Sequence, residues 1–122
     1  MRLLVSNDDG VQAPGLQALV TALRDVGEVT VVAPERERSA ISHAITMHKP
    51  LRAQPVEVAG CPGWAVSGTP ADCVMLGLRE LIDAPPDLII SGINRGANLG
   101  EDVWYSGTVA AAMEAAFLRI PS

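Results

Sequence analysis

The chain has 122 residues, the length of one ordinary domain, and its nine Lys plus Arg against fourteen Asp plus Glu give a formal net charge of −5. Hydrophobic residues make up 48% of the sequence and aromatic residues only 3%, so the chain can build an aliphatic core and intrinsic disorder is excluded. The acidic balance argues against a nucleic-acid polymer as partner, because binding through phosphate neutralisation requires a basic patch. A core with so few aromatic residues favours buried parallel strands covered by helices.

The two cysteines and the apolar segments predict the cellular compartment. Cys61 and Cys73 form neither a disulfide framework nor a Cys-x-x-Cys pair, so we expect two reduced, structural thiols. The apolar start of the chain turns polar at Ser6, too early for the core of a signal peptide. No apolar run approaches the ~20 residues that span a bilayer. We therefore expect a soluble, cytoplasmic protein with no membrane partner.

The first part of the chain predicts a β-α-β unit. Leu3–Val5 is a continuous apolar run, which is typical of a strand buried on both faces. A helix that ends at Gly27 follows, with one apolar face at spacings of three and four residues. That face consists of Leu16, Leu19, Val20 and Leu23. Val29–Ala33 is a second buried run, and Pro34 closes it.

The middle of the chain is less regular. Short strand-like pieces between prolines, at Ile45–Met47, Val56–Ala59 and Trp64–Ser67, indicate a hairpin excursion or a sheet edge. Thr69 as N-cap, with Pro70 next and an acid at the third helical position, then predicts the start of a helix. Its apolar stripe consists of Ala71, Val74, Met75, Leu78, Leu81 and Ile82.

The last part predicts a third strand and a third helix. Leu88–Ile90 is a buried run, and a long loop with three glycines follows it from Ser91 to Ser106. The final helix ends near Arg119, and we expect one apolar face on it. That face consists of Val109, Ala112, Met113, Ala116 and Phe117.

This alternation of strands and helices predicts an α/β fold: a Rossmann-like, doubly wound, mostly parallel sheet with helices on both faces. Residues 1–122 form a single domain. Three well-defined strands make a thin sheet, and the chain stops at Pro121-Ser122, where a further strand would follow the last helix. We therefore expect an incomplete, N-terminal portion of a longer α/β protein.

Ligands of such folds bind beyond the carboxyl ends of the strands, where the strand order changes direction. Asp8 and Asp9 follow the first strand, and two adjacent carboxylates repel each other unless a cation shares them or one is protonated. Their hard oxygens favour Mg²⁺, Mn²⁺ or Ca²⁺ over zinc. A purely structural Asp-Gly turn at Asp9 and Gly10 is the alternative.

The loop after the third strand carries the other candidate residues. Asn94 and Asn98 supply neutral oxygens in a long, glycine-bearing loop, the kind that is usually functional. Ser106, Gly107 and Thr108 then open the last helix, where free N–H groups, hydroxyls and the positive end of the helix dipole favour an anion. An ordinary Ser N-cap explains this segment equally well.

Together these segments describe one site for a hard cation and a phosphate, which implies metal-assisted phosphoester hydrolysis. The sequence has no Walker A motif and no Gly-x-Gly-x-x-Gly, so P-loop ATP hydrolysis and dinucleotide binding are disfavoured. It also lacks the Asp-x-Asp spacing of haloacid-dehalogenase-type phosphatases, because Asp8 is followed directly by Asp9. Ser39, in a segment of alternating charge after the second strand, is a further candidate hydroxyl ligand, but the segment taken alone is a weak signal that a solvated charged face explains as well. Trp104 and Tyr105 offer a stacking face for a nucleobase, although we expect at least one of them to pack in the core.

Four motifs, in order from one end of the chain to the other, resemble the SurE family of stationary-phase survival proteins. They are Met1–Gly10 (MRLLVSNDDG), Arg38-Ser39, Ser91–Asn94 (SGIN) and Tyr105–Glu114 (YSGTVAAAME). SurE proteins are metal-dependent phosphomonoesterases that act on nucleoside 5′- and 3′-monophosphates, and some also trim short polyphosphate.

The resemblance implies a role for each matching residue. Asp8, Asp9, Ser39 and Asn94 would ligate one divalent cation per subunit, Mg²⁺ or Mn²⁺, and the two aspartates would be catalytic. The phosphate would be bound by Asn98, Ser106, Gly107 and Thr108. Family members are longer than this chain, and their C-terminal part completes the sheet and builds oligomers, so a homodimer or homotetramer is implied for the complete protein.

Two other hypotheses for the function of this chain stay open. The first is a non-catalytic nucleotide- or phosphate-binding module on the same scaffold. The adjacent aspartates discriminate against it, because a phosphate receptor has no use for two uncompensated carboxylates beside its anion site. The second is an incomplete domain that holds the metal site but has little activity.

Overall fold

A computed structural model describes residues 1–37 and 49–122. The elements are β1 (Arg2–Ser6), α1 (Pro14–Leu23), β2 (Glu28–Pro34), β3 (Ala53–Val58), β4 (Cys61–Val66), α2 (Pro70–Leu76), β5 (Leu88–Ser91) and α3 (Gly107–Phe117). A π-helical segment, Gly77–Leu81, continues α2, and a 3₁₀ segment, Gly100–Tyr105, precedes α3. The strand predicted at Ile45–Met47 and the candidate ligand Ser39 lie outside the described residues.

The five strands form one mostly parallel sheet in the order β3-β4-β2-β1-β5. β1 is parallel to both β2 and β5, and β2 is parallel to β4, whereas β3 is antiparallel to β4. The predicted α/β class is confirmed, and the three predicted strands match β1, β2 and β5 to within a residue at each end. Because the chain extends the sheet from β1 towards β2 and later returns to place β5 on the other side of β1, the strand order changes direction between β1 and β5.

The irregular middle of the chain contributes the hairpin β3–β4. Its prolines lie where the missing N–H removes few sheet hydrogen bonds. Pro55 lies on β3, an outer strand of the described sheet. Pro62 pairs with Glu57 of β3 and precedes Gly63, where the pairing of β4 with β2 begins. The expected hairpin or sheet edge is therefore confirmed for the pieces after residue 50, with boundaries shifted towards the N-terminus.

Helices cover both faces of the sheet, as predicted. Leu16 and Val20 of α1 pack on one face with Leu3 and Val5. The other face carries α2 and α3, whose Val74, Ala111 and Ala115 share a core cluster with Leu4 and Ile89. β1 is buried on both of its faces, which explains why its sequence is continuously apolar rather than alternating.

The start of α2 is the predicted capping box. Thr69 Oγ1 accepts a hydrogen bond from the Asp72 N–H at 3.1 Å, and Asp72 Oδ2 accepts one from the Thr69 N–H at 2.9 Å. The regular α-helix ends at Leu76, earlier than the apolar stripe predicts, and a wider π turn continues it. At that junction Gly77 lies close to β2, since a Cβ there would be 3.3 Å from Val32 Cγ2. A larger residue would hold the helix away from the sheet.

The buried face predicted for α3 is wrong. The predicted face contains Phe117, but 68% of that side chain is exposed. The buried residues are Gly107, Ala110, Ala111 and Ala115. α3 packs chiefly on α2 and β5, and small side chains allow the close approach that this packing needs. Periodicity alone favoured the larger side chains and so selected the opposite stripe.

Two further expectations concern the thiols and the membrane. Cys61 and Cys73 are both buried and neither is in a disulfide, as predicted for structural thiols. Within residues 1–37 and 49–122, no helix has the length and apolar character required to cross a bilayer.

Candidate active site

A cleft of about 480 Å³ opens at the carboxyl ends of β1 and β5, where the strand order changes direction. Ligands of doubly wound sheets bind at this position. The cleft brings together five of the predicted site residues from the two loops that follow β1 and β5: Asp8, Asp9, Asn94, Asn98 and Ser106. The register explains this convergence, because Ser6 and Ser91, the last residues of β1 and β5, are direct partners.

The turn after β1 is shaped by Asn7, which the sequence prediction missed. The Asn7 side chain accepts from the Gly10 N–H at 3.1 Å and donates to the Gly10 carbonyl at 2.8 Å. Gly10 has a φ of 102°, and a Cβ there would lie 3.0 Å from the backbone carbon of Arg36. Glycine therefore suits this position, and the closed turn holds the two aspartates at the cleft. An Asn three residues before a Gly was the available sequence signal.

Asp8 is the buried acid of the site. Its side chain is only 5% exposed, and its Oδ1 has no hydrogen-bond partner among the described residues. Burial, together with the nearby negative charges of Asp9 and Glu37, raises the pKa of Asp8 to about 6. A buried carboxylate without a partner is costly, so this position calls for a compensating cation.

Asp9 connects the two loops that border the cleft. Its Oδ2 accepts a hydrogen bond from the backbone N–H of Arg95 at 3.0 Å. Asn94 directly precedes Arg95. Its Nδ2 donates to the Gly96 carbonyl at 2.7 Å and lies 3.5 Å from Asn98 Oδ1. Because the Asn94 amide nitrogen is engaged within its own loop, its carbonyl oxygen is oriented away from these bonds and can serve as a neutral ligand.

The N-terminus of α3 borders the carboxylates. Ser106 is its N-cap, and Ser106 Oγ accepts from the Val109 N–H at 3.2 Å, so this residue lines the cleft and caps the helix at once. Gly107 lies directly against Asp8: a Cβ at position 107 would be 2.9 Å from Asp8 Cγ. Thr108 Oγ1 is buried and unpartnered among the described residues. Gly107 and Thr108 lie behind Ser106 rather than along the cleft wall.

The residues present fit a hard divalent cation. Two carboxylates and a carboxamide oxygen are of the kind that Mg²⁺ and Mn²⁺ take as ligands, and Asp8 Oδ1 is an acceptor for which residues 1–37 and 49–122 supply no donor. Nowhere in the described part of the chain do three or more His, Cys, Asp or Glu side chains gather closely enough to hold a metal ion by themselves. A site of two acids completed by neutral oxygens is compatible with that finding.

Other side chains at the cleft differ from expectation. Both Trp104 and Tyr105 are exposed, at 68% and 64%, so the expectation that one packs in the core is wrong. The 3₁₀ segment that carries them lies on the surface, and only Tyr105 lines the cleft. Glu37 and Asp102 also line it. Sequence reasoning missed both acids because each comes from a separate loop with no local motif.

The fold and the cleft define an α/β protein whose sheet carries, at its switch point, an acidic cleft bordered by the N-terminus of a helix. Residues 3–122 match the family described as "Survival protein SurE", and the chain belongs to this family. It is 59% identical over 122 residues to the 5′-nucleotidase SurE of Pelobacter propionicus, covering 100% of this chain and 48% of the relative. It is 58% identical over 122 residues to the 5′-nucleotidase SurE of Geobacter sulfurreducens, covering 100% and 45%.

The structural comparison agrees. The crystal structure of the SurE protein from Aquifex aeolicus matches with a TM-score of 0.90 at 47% identity. The match covers 100% of this chain and 49% of that chain. The chain thus spans about half the length of the curated relatives it matches.

Proposed function

We propose that this chain carries the active site of a divalent-cation-dependent phosphomonoesterase, which hydrolyses nucleoside 5′- and 3′-monophosphates to nucleoside and inorganic phosphate. The observation that carries the proposal is the contact between Asp8 and Gly107, which sets an unpartnered, buried carboxylate oxygen against the N-terminus of α3. The carboxylate of Asp8 suits a cation, and the N-terminus of α3 suits a phosphate. The names of the relatives, 5′-nucleotidase SurE, support the choice of substrate.

In this proposal Asp8, Asp9 and Asn94 hold one cation, Mg²⁺ or Mn²⁺, and the fourth ligand is Ser39, taken from the family resemblance. When bound, the cation polarises the phosphoryl oxygens and makes a water molecule more acidic. The turn closed by Asn7 keeps the two carboxylates in place, and the hydrogen bond from the Arg95 N–H orients Asp9. Because these hydrogen bonds are already formed before substrate binds, the two carboxylates need little rearrangement during the reaction.

The phosphate is bound by Asn98, Ser106, Gly107 and Thr108. Because Gly107 has no side chain, the first turn of α3 lies close to Asp8, and its N–H groups would donate to a phosphoryl oxygen bound beside that carboxylate. Thr108 has a buried hydroxyl without a partner among the described residues, and in this proposal it donates a hydrogen bond to the phosphate. This arrangement binds phosphate with dipoles and a cation, so an acidic protein needs no basic patch.

In the hydrolytic step, the oxygen of a water molecule bonds to phosphorus while the ester P–O bond breaks on the opposite side. The attacking water loses a proton to the carboxylate of Asp8 or Asp9. The leaving nucleoside oxygen takes up one proton. The products are inorganic phosphate and a nucleoside, so no co-reactant other than water is consumed.

The proposal extends to the setting of the enzyme. Reduced, buried thiols are compatible with a cytoplasmic protein, and several large apolar side chains at the surface suit a homodimer or homotetramer. These side chains include Leu99, Trp104, Phe117 and Leu118. A terminal phosphate of short polyphosphate presents the same charged group as a nucleotide, so a side activity on polyphosphate fits the same site.

The alternative is a phosphate- or nucleotide-binding module without catalysis. Asp8 counts against it, because an anion receptor would be weakened by a buried carboxylate beside the phosphate. Measurement of phosphate release separates the two functions. A module would bind AMP and leave it intact, whereas an enzyme would release phosphate only when a divalent cation is present.

The test uses the 122-residue chain with AMP and GMP, in Mg²⁺ or Mn²⁺ and again in EDTA. We expect release with either cation and none in EDTA. Asp8→Asn should lower the rate by about 10²-fold or more, whereas Asp25→Asn, the same change at an exposed aspartate outside the cleft, should leave it unchanged. Nucleotide binding without cation-dependent release would favour the binding module instead.

A further inference from the structure

The cleft carries an imbalance of charge that the proposed function has to overcome. Four carboxylate side chains line it, those of Asp8, Asp9, Glu37 and Asp102. A divalent cation matches the charge of the two adjacent aspartates, and the start of α3 adds a partial positive charge of roughly half a unit. A phosphate monoester carries up to two negative charges, so further positive charge at the cleft would favour its binding.

Arg95 is the one cationic side chain among the described residues that line the cleft. Its backbone N–H donates to Asp9 Oδ2 at 3.0 Å, which holds its Cα beside the proposed cation ligands. The residue itself is exposed, so its long side chain can turn towards the cleft without loss of packing. It also lies directly after Asn94 and in the same loop as Asn98.

The guanidinium of Arg95 is not engaged in an ion pair within the part of the chain that the structure describes. Two other arginines form ion pairs, Arg2 with Glu28 at 3.9 Å and Arg52 with Glu35 at 3.7 Å, while the Arg24 guanidinium donates a hydrogen bond to the Ala59 carbonyl at 3.1 Å. Those side chains have structural partners distant from the cleft. Arg95 has a polar cleft beside it and no such partner for its guanidinium among residues 1–37 and 49–122, which suits a residue that meets its ligand only when substrate binds.

From this arrangement we infer that Arg95 is a substrate-binding residue whose guanidinium binds the phosphoryl oxygens of the nucleotide. The inference rests on the proposed function and adds to it a side chain outside the residues that the family resemblance implies. A guanidinium offers two parallel N–H donors, whose spacing matches two oxygens of a phosphate. Lysine offers a single point of charge, so Arg95→Lys should recover only part of the binding.

The test compares Arg95→Gln and Arg95→Lys with the parent chain. Arg95→Gln should weaken the binding of inorganic phosphate, measured calorimetrically in Mn²⁺, and should raise the KM for AMP by roughly 10- to 100-fold, the effect of losing a hydrogen bond to a charged group. The phosphate affinity and the KM of Arg95→Lys should lie between those of Arg95→Gln and those of the parent. The affinity for Mn²⁺ alone should stay the same, because the backbone N–H that bonds Asp9 is retained in every variant.

Arg79→Gln is the matched control, since Arg79 is an exposed arginine on the π-helical segment after α2 and does not line the cleft. It should bind phosphate and AMP as the parent does. Equal phosphate affinity in Arg95→Gln and the parent would overturn the inference. So would a parallel loss of Mn²⁺ affinity, which would make Arg95 a support for Asp9 instead.

The outcomes separate this inference from the proposed function. If Arg95 is needed for phosphate binding but the parent releases no phosphate from AMP, the inference stands and the phosphomonoesterase proposal fails. If the parent releases phosphate and Arg95→Gln keeps the KM of the parent, the phosphomonoesterase proposal stands and the inference fails.

Discussion

Gly107 and Asp8 are in direct contact, since a Cβ at position 107 would lie 2.9 Å from Cγ of Asp8 and still closer to its Oδ1. The first residue of α3 therefore leaves room for a carboxylate that belongs to the loop after β1. This contact joins the acidic half of the site to the helix N-terminus. Four expected outcomes test the site and the fold around it.

Gly107→Ala should displace the Asp8 carboxylate, because the added methyl group occupies its space. We expect a cation affinity lower by about tenfold or more, and a loss of about 1–3 kcal/mol in the free energy of unfolding from overpacking. Calorimetric titration with Mn²⁺ and urea unfolding measure the two effects. Gly96→Ala is the control for unfolding, since a Cβ at Gly96 meets nothing within 4 Å. Unchanged cation binding in Gly107→Ala would contradict the geometry.

Asp8→Asn should stabilise the cation-free protein while it weakens cation binding. The substitution removes a buried charge that has no hydrogen-bond partner at Oδ1 among the described residues. At pH 7 we expect a gain of about 1 kcal/mol in the free energy of unfolding, measured with urea in EDTA. Asp25→Asn, at an exposed position, should change neither property. A less stable Asp8→Asn variant would show that Asp8 is a structural acid.

The pH dependence of stability follows from the same carboxyl group. Its pKa in the folded protein is raised from 3.8 to about 6, so between these values the folded state binds more protons than the unfolded state. The contribution of Asp8 to stability should therefore fall as the pH rises from about 4 to about 6, and should then level off. Urea unfolding of the parent and of Asp8→Asn from about pH 4, near the ordinary pKa of the carboxyl group, to about pH 7, about one unit above the raised value, isolates this contribution as a difference.

Saturating Mn²⁺ should abolish that fall, since a bound cation stabilises the ionised carboxylate and competes with the proton. A difference between the parent and Asp8→Asn that is constant over the whole interval would refute the raised pKa.

Thr69→Ala should weaken the fold without affecting the site. It removes the Oγ1 that accepts from the Asp72 N–H at the start of α2. The expected loss is about 1 kcal/mol in the free energy of unfolding, the usual effect of losing an N-cap side chain. Thr69→Ser keeps the hydroxyl and serves as the control. Because the capping box lies outside the cleft lining, the Mn²⁺ affinity of Thr69→Ala should equal that of the parent.

Local patterns predicted the secondary structure well where the signal was strong. The buried strands β1 and β2, the apolar face of α1 and the capping box of α2 all follow from short-range spacing and end signals. The stripe on α3 was predicted wrongly, because α3 packs through Ala110, Ala111 and Ala115 against α2 and β5. Which stripe of a helix faces its neighbours depends on how closely those neighbours approach, and periodicity does not contain that distance.

The sequence by itself determined which polar residues follow each strand, because strand ends are marked by local changes from apolar to polar side chains. It therefore identified Asp8, Asp9 and Asn94 as candidates. Only the tertiary structure decided that these residues meet, since the pairing of Ser6 with Ser91 places β5 beside β1 across a long stretch of chain. It also decided the burial of Asp8 and its contact with Gly107. Burial and close contact depend on residues distant in sequence, so no local pattern carries them.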